Sequence, residues 1–182
     1  ITKARKLDSK YVKLKIKKKF GNYSKNIFPE FMDIVPEEFD CKAIFISLSK
    51  LKSHKFRDTK VTNCMKNQYG LIPYPDKTVY HKRLSEAILY INMSIRAFFD
   101  CYYLTEALRF TMEGGGPTRG TTLKNLGIAV AGRNPVEVDA IAATLMGVNA
   151  SKLDYLKLAR AAIGDYNDDI LKKIPKEFKH KF

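Results

Sequence analysis

The sequence predicts an α/β fold, with a mixed or mostly parallel sheet flanked by helices in a single domain. Residues 41–49, CKAIFISLS, form a continuous apolar run with the composition of a buried strand. Residues 83–99 carry apolar side chains at helical spacing, and residues 125–132, NLGIAVAG, predict another strand. Strands separated by helices indicate an α/β domain, and 182 residues suffice for one core.

The N-terminal region is basic and alternates in polarity. In YVKLKIKKKF (11–20), Val12, Leu14 and Ile16 alternate with lysines. A period of two predicts a strand with one buried face and one lysine face. We therefore expect residues 1–40 to form a basic strand and a connector.

The central region contains the elements of the core, which we place at residues 41–165. The apolar composition of residues 41–49 and 125–132 predicts strands that are buried, the first on both faces. Residues 58–70 predict a helix, and residues 101–108 favour a strand, with a helix left open as the alternative.

The C-terminal part of the core has the clearest local signals. The segment NPVE (134–137) places a cap, a first-turn proline and a capping-box glutamate in register, and the helix is expected to stop at Gly147. Ser151 and Asp154 repeat the capping box, and Gly164 is expected to end that helix.

The net charge of +14 is concentrated at the two ends of the chain. Residues 1–25 carry +9 and residues 171–182 carry +4, whereas the remainder carries +1. Basic ends can bind nucleic-acid phosphates, and they are also typical of solvated faces. A nucleic-acid-binding module is therefore the alternative function. Residues 166–182 are expected to form a basic tail, with a short strand near Phe178.

The cysteine content and hydropathy favour a cytoplasmic protein without a membrane segment. Cys41, Cys64 and Cys101 are widely spaced and form no C-x-x-C pair, which argues against a disulfide framework or an iron–sulfur motif within this chain. Cys64 and Cys101 are expected to be buried hydrophobes. The longest apolar stretch, near residues 43–48, is too short to cross a bilayer, and there is no secretory signal pattern.

The segment TMEGGGPTRG (111–120) has the composition of an anion-binding loop or of a structural turn. It is not a P-loop, because Thr121 occupies the position of the phosphate-binding lysine, and it misses the dinucleotide fingerprint by one residue. Glycines allow backbone N–H groups to approach a ligand, and Arg119 offers a forked donor.

If the strands are parallel, the segments that follow them meet at one edge of the sheet. KLKSHKFRDT follows residues 41–49, the glycine loop follows residues 101–108, and the helix N-terminus at Asn134 follows residues 125–132. That arrangement would give a positive pocket suited to a phosphate or a carboxylate. Lys50 and Lys52 alternate at a strand end, so we expect them to point the same way.

The order of several motifs resembles a known family. The motifs are KLKSH (50–54), Val61-Thr62, Lys66-Asn67, Gly70-Leu71-Ile72-Pro73, His81, MEGGGPTRG (112–120) and NPVEVDAIAATLMG (134–147). Together they resemble the family catalogued as domain of unknown function 362, over residues 40–165. Glu106 and Asn134 stand where the family usually has aspartate.

The resemblance implies a prokaryotic, cytoplasmic protein of unsettled activity. Many relatives are joined to a ferredoxin-type cysteine cluster, which this chain lacks, so the resemblance implies redox association and a separate ferredoxin-type partner rather than a bound cluster. Relatives also carry an upstream half with a lysine–asparagine motif. Nothing before residue 40 supplies that motif, so the chain is expected to be incomplete.

The expected ligand is a small anion, held at the motif residues. The candidate ligand-binding residues are Lys50, Lys52, His54, Thr62, Lys66, Asn67, Glu113, Gly114, Gly115, Gly116, Arg119 and Asp139. Asp139 lies in an otherwise apolar helix, where a carboxylate must be paired, solvated or functional, and a structural hydrogen bond is the favoured interpretation.

His54 and His81, with Glu113, are candidate ligands for zinc or iron, although they lack a ligand-spacing signature and unrelated loop histidines remain the alternative. The reaction type and cofactor do not follow from these residues, and both an enzyme and a cofactor-handling protein stay open.

Overall fold

The computed structural model describes residues 8–22, 43–53, 60–72, 74–108, 112–113, 121–122 and 126–176. The helices are α1 (Ser9–Phe20), α2 (Cys64–Asn67), α3 (Leu84–Phe98), α4 (Pro135–Leu145), α5 (Asp154–Ala162) and α6 (Asp168–Lys173). The strands are β1 (Ile44–Lys50), β2 (Lys52–Ser53), β3 (Val61–Thr62), β4 (Asp100–Ala107), β5 (Met112–Glu113), β6 (Thr121–Thr122) and β7 (Ile128–Gly132). Short 3-10 helices occupy Gln68–Leu71, Lys77–Arg83 and Ala150–Lys152.

The main sheet has the strand order β1-β4-β7 and is mixed, which confirms the predicted α/β class. β1 runs parallel to β4, with Lys50 opposite Glu106, whereas β7 runs antiparallel to β4, with Ala107 opposite Ile128. The segment after β7 therefore lies at the other edge of the sheet. The expectation that Asn134 and its helix share an edge with Lys50 is wrong, because it assumed parallel strands.

A second sheet of two-residue strands has the order β3-β2-β5-β6. Lys52 pairs with Thr62 in the antiparallel β2–β3 ladder and with Met112 in the parallel β2–β5 ladder. Glu113 pairs with Thr121 in the antiparallel β5–β6 ladder, and the glycine loop follows β5 in the sequence.

Described helices cover one face of the main sheet. Tyr103 on β4 and Ser47 on β1 are buried on that side, where α2, α3 and α4 contact the strands. The hydroxyl groups of Ser49 and Thr105 lie 2.7 Å apart and form a hydrogen bond with each other.

The opposite face is apolar and open. Ile44, Ile46 and Leu48 are 64%, 59% and 64% exposed. With Tyr102, Ala129 and Ala131 they form what we call the open sheet face. The prediction that residues 41–49 are covered on both faces is therefore wrong, as is full burial of residues 125–132. Apolar composition shows that a strand can be buried, but the elements that pack on it decide which face is covered.

The N-terminal segment is a helix, so the predicted strand at residues 11–20 is wrong. Val12, Ile16 and Phe20 recur every four residues and pack against α3, whereas Leu14 is 66% exposed. The Asp8 carboxylate caps this helix by accepting hydrogen bonds from the backbone N–H groups of residues 10 and 11.

Local signals located α3, β4 and α4 correctly. The Asn134 side chain accepts from the Val136 N–H at 3.1 Å, and Gly147 ends α4 with a φ of 68°. The predicted capping box at residues 151–154 is wrong, because Leu153 precedes α5 and makes no side-chain cap.

The predicted helix over residues 58–70 is replaced, within the described residues, by β3, the short α2 and a 3-10 turn. α6 occupies part of the expected basic tail, whereas Phe178 lies outside the described residues. No helix in the described part of the chain is long and apolar enough to span a membrane.

Candidate anion site

The second sheet brings together the backbone of three sequence motifs. Lys52 of KLKSH lies between Thr62 and Met112, and neighbouring strands are about 4.8 Å apart. The glycine loop connects β5 to β6 and so begins one strand away from KLKSH. Some of the predicted site residues are not among those that the structure describes, namely His54, Gly114, Gly115, Gly116, Arg119 and the side chains of Thr62 and Glu113.

Lys66, on α2, is a half-buried cation. Its pKa is lowered to about 8, mainly by burial and in smaller part by the positive charge of Lys52. No hydrogen bond or ion pair to the Lys66 ammonium occurs within the described residues. A buried ammonium beside a second cation is costly unless an anion compensates for the charge.

Lys50 is in a different electrostatic state. Its ammonium forms an ion pair with Glu106, and the Leu108 N–H donates to the same carboxylate at 2.7 Å. The hydrogen bond from Lys50 is the main cause that lowers the pKa of Glu106. Leu51, which is buried, separates β1 from β2 along the chain, so Lys50 belongs to the main sheet and Lys52 to the second sheet. The expectation that their side chains point the same way assumed one continuous strand, and it does not apply here.

Asn67 connects α2 to β1. Its side-chain NH2 donates to the Leu48 carbonyl at 3.0 Å and to the Ser47 hydroxyl at 3.3 Å. The Ser47 hydroxyl in turn donates to the Cys64 carbonyl at 3.0 Å. These contacts hold the helix that carries Lys66 against the main sheet.

Asp139 supports α2 from the opposite side. Its buried carboxylate accepts from the Cys64 N–H at 2.9 Å, the Met65 N–H at 3.3 Å and the Tyr155 hydroxyl at 3.1 Å. The Cys64 thiol donates to it as well, at 2.8 Å. Asn63 makes no capping bond with its side chain, so Asp139 caps α2 from a distant part of the chain.

Burial raises the pKa of Asp139 to about 6, although the donors around it oppose the shift. Burial also raises the pKa of the Cys64 thiol, and the Asp139 charge adds to that effect. Both groups are enclosed and hydrogen-bonded to each other, so this geometry supports a bracing role for Asp139.

Two buried amides beside Lys66 were missed by sequence reasoning. Asn63 and Gln68 are each 1% exposed, and none of their side-chain nitrogen or oxygen atoms has a hydrogen-bond partner. Native proteins rarely leave such groups unsatisfied. Their position on either side of the Lys66-Asn67 motif was the available sequence signal.

Of the two histidines predicted to bind a metal, the structure describes only His81. His81 lies in the 3-10 turn Lys77–Arg83, with its ring centroid 6.4 Å from that of Tyr69. Among the described side chains, no three His, Cys, Asp or Glu residues converge to hold a metal ion. The pairing of His81 with His54 and Glu113 around zinc or iron remains a prediction.

Comparison with known proteins gives one match, at the level of the family. No curated protein and no solved structure matches the chain. A family model described as domain of unknown function (DUF362) matches residues 4–144, which is most of the chain. The matched residues include α1, the main strands, α2 with Lys66 and most of α4. The chain therefore belongs to the DUF362 family.

Proposed function

We propose that α2 and the second sheet form a binding site for a small anion that carries a phosphate or carboxylate group. The observation that carries the proposal is the half-buried ammonium of Lys66, which lies beside Lys52 without an acidic partner in the described residues. A bound anion would compensate for the positive charge of Lys66. The adjacent glycine loop would add backbone N–H donors.

The proposal gives each contact around α2 a role. Asn67 and Asp139 hold in place the helix that carries Lys66. Because the pKa of Lys66 is about 8, the site loses one positive charge as the pH rises through that value. Anion affinity should fall over the same range.

Calorimetric titration with inorganic phosphate, at constant ionic strength, tests the proposal. Lys66→Met should weaken binding roughly 10- to 100-fold, because hydrogen bonds to charged groups contribute about 1.5–3 kcal/mol. Lys13→Met is the matched control, because it removes the same charge from an exposed position on α1. Lys66→Arg should bind phosphate at about pH 9 better than wild type, since guanidinium stays charged.

Equal phosphate affinities for Lys66→Met and wild type would contradict the proposal. So would a wild-type affinity that stays constant between about pH 7 and pH 9, because the lysine would then not contribute its charge. Repeating the titration with acetate distinguishes carboxylate ligands from phosphates.

Nucleic-acid binding is the second candidate function, and α1 is the observation that favours it. Residues 10, 13, 17 and 18 are exposed lysines on this helix. Binding of duplex DNA should weaken steeply with salt, and replacing these lysines with glutamine should reduce the slope of log K against log salt by up to about 0.9 for each phosphate that is no longer neutralised. Deleting residues 171–182 should also weaken binding. A chain that binds neither DNA nor RNA at low salt would exclude this function.

A further inference from the structure

A second group of cations surrounds a cavity at the amino end of β4. The cavity has a volume of about 230 Å³ and is lined by Lys19, Arg96, Phe99, Asp100, Cys101 and Arg133. We call it the amino-end cavity. Its lining comes from the end of α1, the last turn of α3, the start of β4 and the turn after β7.

Positive charge is in excess in this cavity. Three cationic side chains line it, against the single carboxylate of Asp100, which pairs with Arg133. Lys19 and Arg96 have no acidic partner in the described part of the chain. Burial lowers the pKa of Lys19, and the neighbouring Arg96 charge lowers it further.

Helix capping explains only part of this arrangement. The Lys19 ammonium donates to the backbone carbonyl of Arg96, as expected of a cation at the C-terminus of a helix. One Arg96 nitrogen donates to the Arg133 carbonyl at 3.2 Å. The Nε of Arg96, however, is buried without a hydrogen bond of normal geometry, although the buried Tyr103 hydroxyl lies near this side chain. An unpaired buried guanidinium N–H is costly and favours an additional acceptor.

We propose that the amino-end cavity binds a small oxyanion, either free phosphate or sulfate or the phosphate group of a larger molecule. Arginine is suited to this ligand because its planar fork presents several N–H donors to oxyanion oxygens. The volume of about 230 Å³ is smaller than the roughly 300–1,000 Å³ of drug-sized ligand pockets, so the bound group is small.

This cavity is separate from the anion site on α2. Asp100 lines the amino-end cavity at the start of β4. Glu106, at the other end of β4, pairs with Lys50, which precedes Lys52 of the α2 site by two residues. The six residue steps between Asp100 and Glu106 span about 20 Å of strand. The oxyanion bound here is therefore a second ligand, independent of Lys66.

The test uses Lys66→Met protein, in which phosphate binding at the α2 site is weakened roughly 10- to 100-fold and is separated from binding at the cavity. Calorimetric titration with inorganic phosphate at constant ionic strength should show one saturable site. Adding Lys19→Met or Arg133→Met should weaken this binding roughly 10- to 100-fold, since each removes a charged donor. Adding Lys13→Met, an exposed α1 lysine outside the cavity, should leave it unchanged.

Arg96→Lys provides a variant that keeps the charge but removes the fork and its Nε donor. It should fold like the parent protein by circular dichroism and bind phosphate at least about tenfold more weakly. Phenyl phosphate distinguishes the two ligand sources: equal affinity supports a terminal phosphate group, and at least about tenfold preference for inorganic phosphate supports the free ion.

The outcomes for the two sites are distinguishable. Wild type that binds phosphate while Lys66→Met does not would overturn the cavity proposal and leave the α2 site standing. Saturable binding in Lys66→Met that persists in Lys19→Met and Arg133→Met would also overturn it. Phosphate binding that is unaffected by Lys66→Met but abolished by Lys19→Met would support the cavity and refute the α2 site.

Discussion

Replacing Asp139 with asparagine should change how the stability of this protein depends on pH. The carboxylate is buried between α2 and Tyr155, and burial raises its pKa to about 6. An aspartate in an unfolded chain has a pKa of about 3.9. Between these two values the folded protein retains a proton that the unfolded chain has released, so the free energy of unfolding falls as the pH rises.

The size of the effect follows from the pKa difference. A shift of about two units corresponds to about 3 kcal/mol, because each unit contributes about 1.36 kcal/mol. The wild-type free energy of unfolding should therefore fall by about 2–3 kcal/mol relative to Asp139→Asn between about pH 4 and pH 7. Taking this difference between two proteins removes the contribution of the other carboxylates, including Glu106, whose lowered pKa acts in the opposite direction.

Urea unfolding followed by circular dichroism measures these free energies at each pH, and the chain has no tryptophan to follow by fluorescence. Tyr155→Phe sharpens the test, because losing its hydrogen bond to Asp139 should move the pH-dependent range upward. Tyr103→Phe is the matched control, since its buried hydroxyl faces Arg96 and Cys101 rather than Asp139. Wild-type and Asp139→Asn curves that stay parallel from pH 4 to pH 7 would refute the reasoning.

Two further pairs of substitutions test local packing by their effect on thermal unfolding. A Cβ added in Gly164→Ala would lie 2.7 Å from the Asn134 oxygen that caps α4, so we expect the free energy of unfolding to fall by about 1 kcal/mol. A Cβ added in the control Gly70→Ala would have nothing within 4 Å, so this variant should change the free energy of unfolding by less than about 0.5 kcal/mol. An unchanged melting temperature for Gly164→Ala would show that Asn134 can move without loss. Ile46→Ser on the open sheet face should cost less than about 0.5 kcal/mol, whereas Ile16→Ala in the core should cost about 2–5 kcal/mol. Similar losses for both isoleucines would mean that Ile46 is buried in solution.

Elements with strong local signals were predictable from the sequence. The proline and asparagine at the start of α4 and the apolar spacing of α3 depend on neighbouring residues only. In α1 two periods compete, because Val12 and Ile16 fit both a strand and a helix. Packing against α3 decides between them, and that contact is not encoded locally.

Contacts between distant parts of the chain could not be predicted. Asp139 and Cys64 are 75 residues apart, and no pattern around either residue indicates their hydrogen bond. The antiparallel direction of β7 does not follow from its apolar composition, which fits a strand of either direction. The family resemblance indicates Lys66 and Asn67 as site residues. The lowered pKa of Lys66 depends on its burial, which the sequence does not show.

The open sheet face also has a thermodynamic consequence. Its exposed isoleucine and leucine side chains add little to the unfolding free energy while they remain in water. Any molecule that covers them only in the folded state would stabilise the fold by mass action, by an amount that grows with the logarithm of its concentration once that exceeds its dissociation constant. In the presence of such a molecule the melting temperature would rise with its concentration, so comparisons between variants require solutions of matched composition.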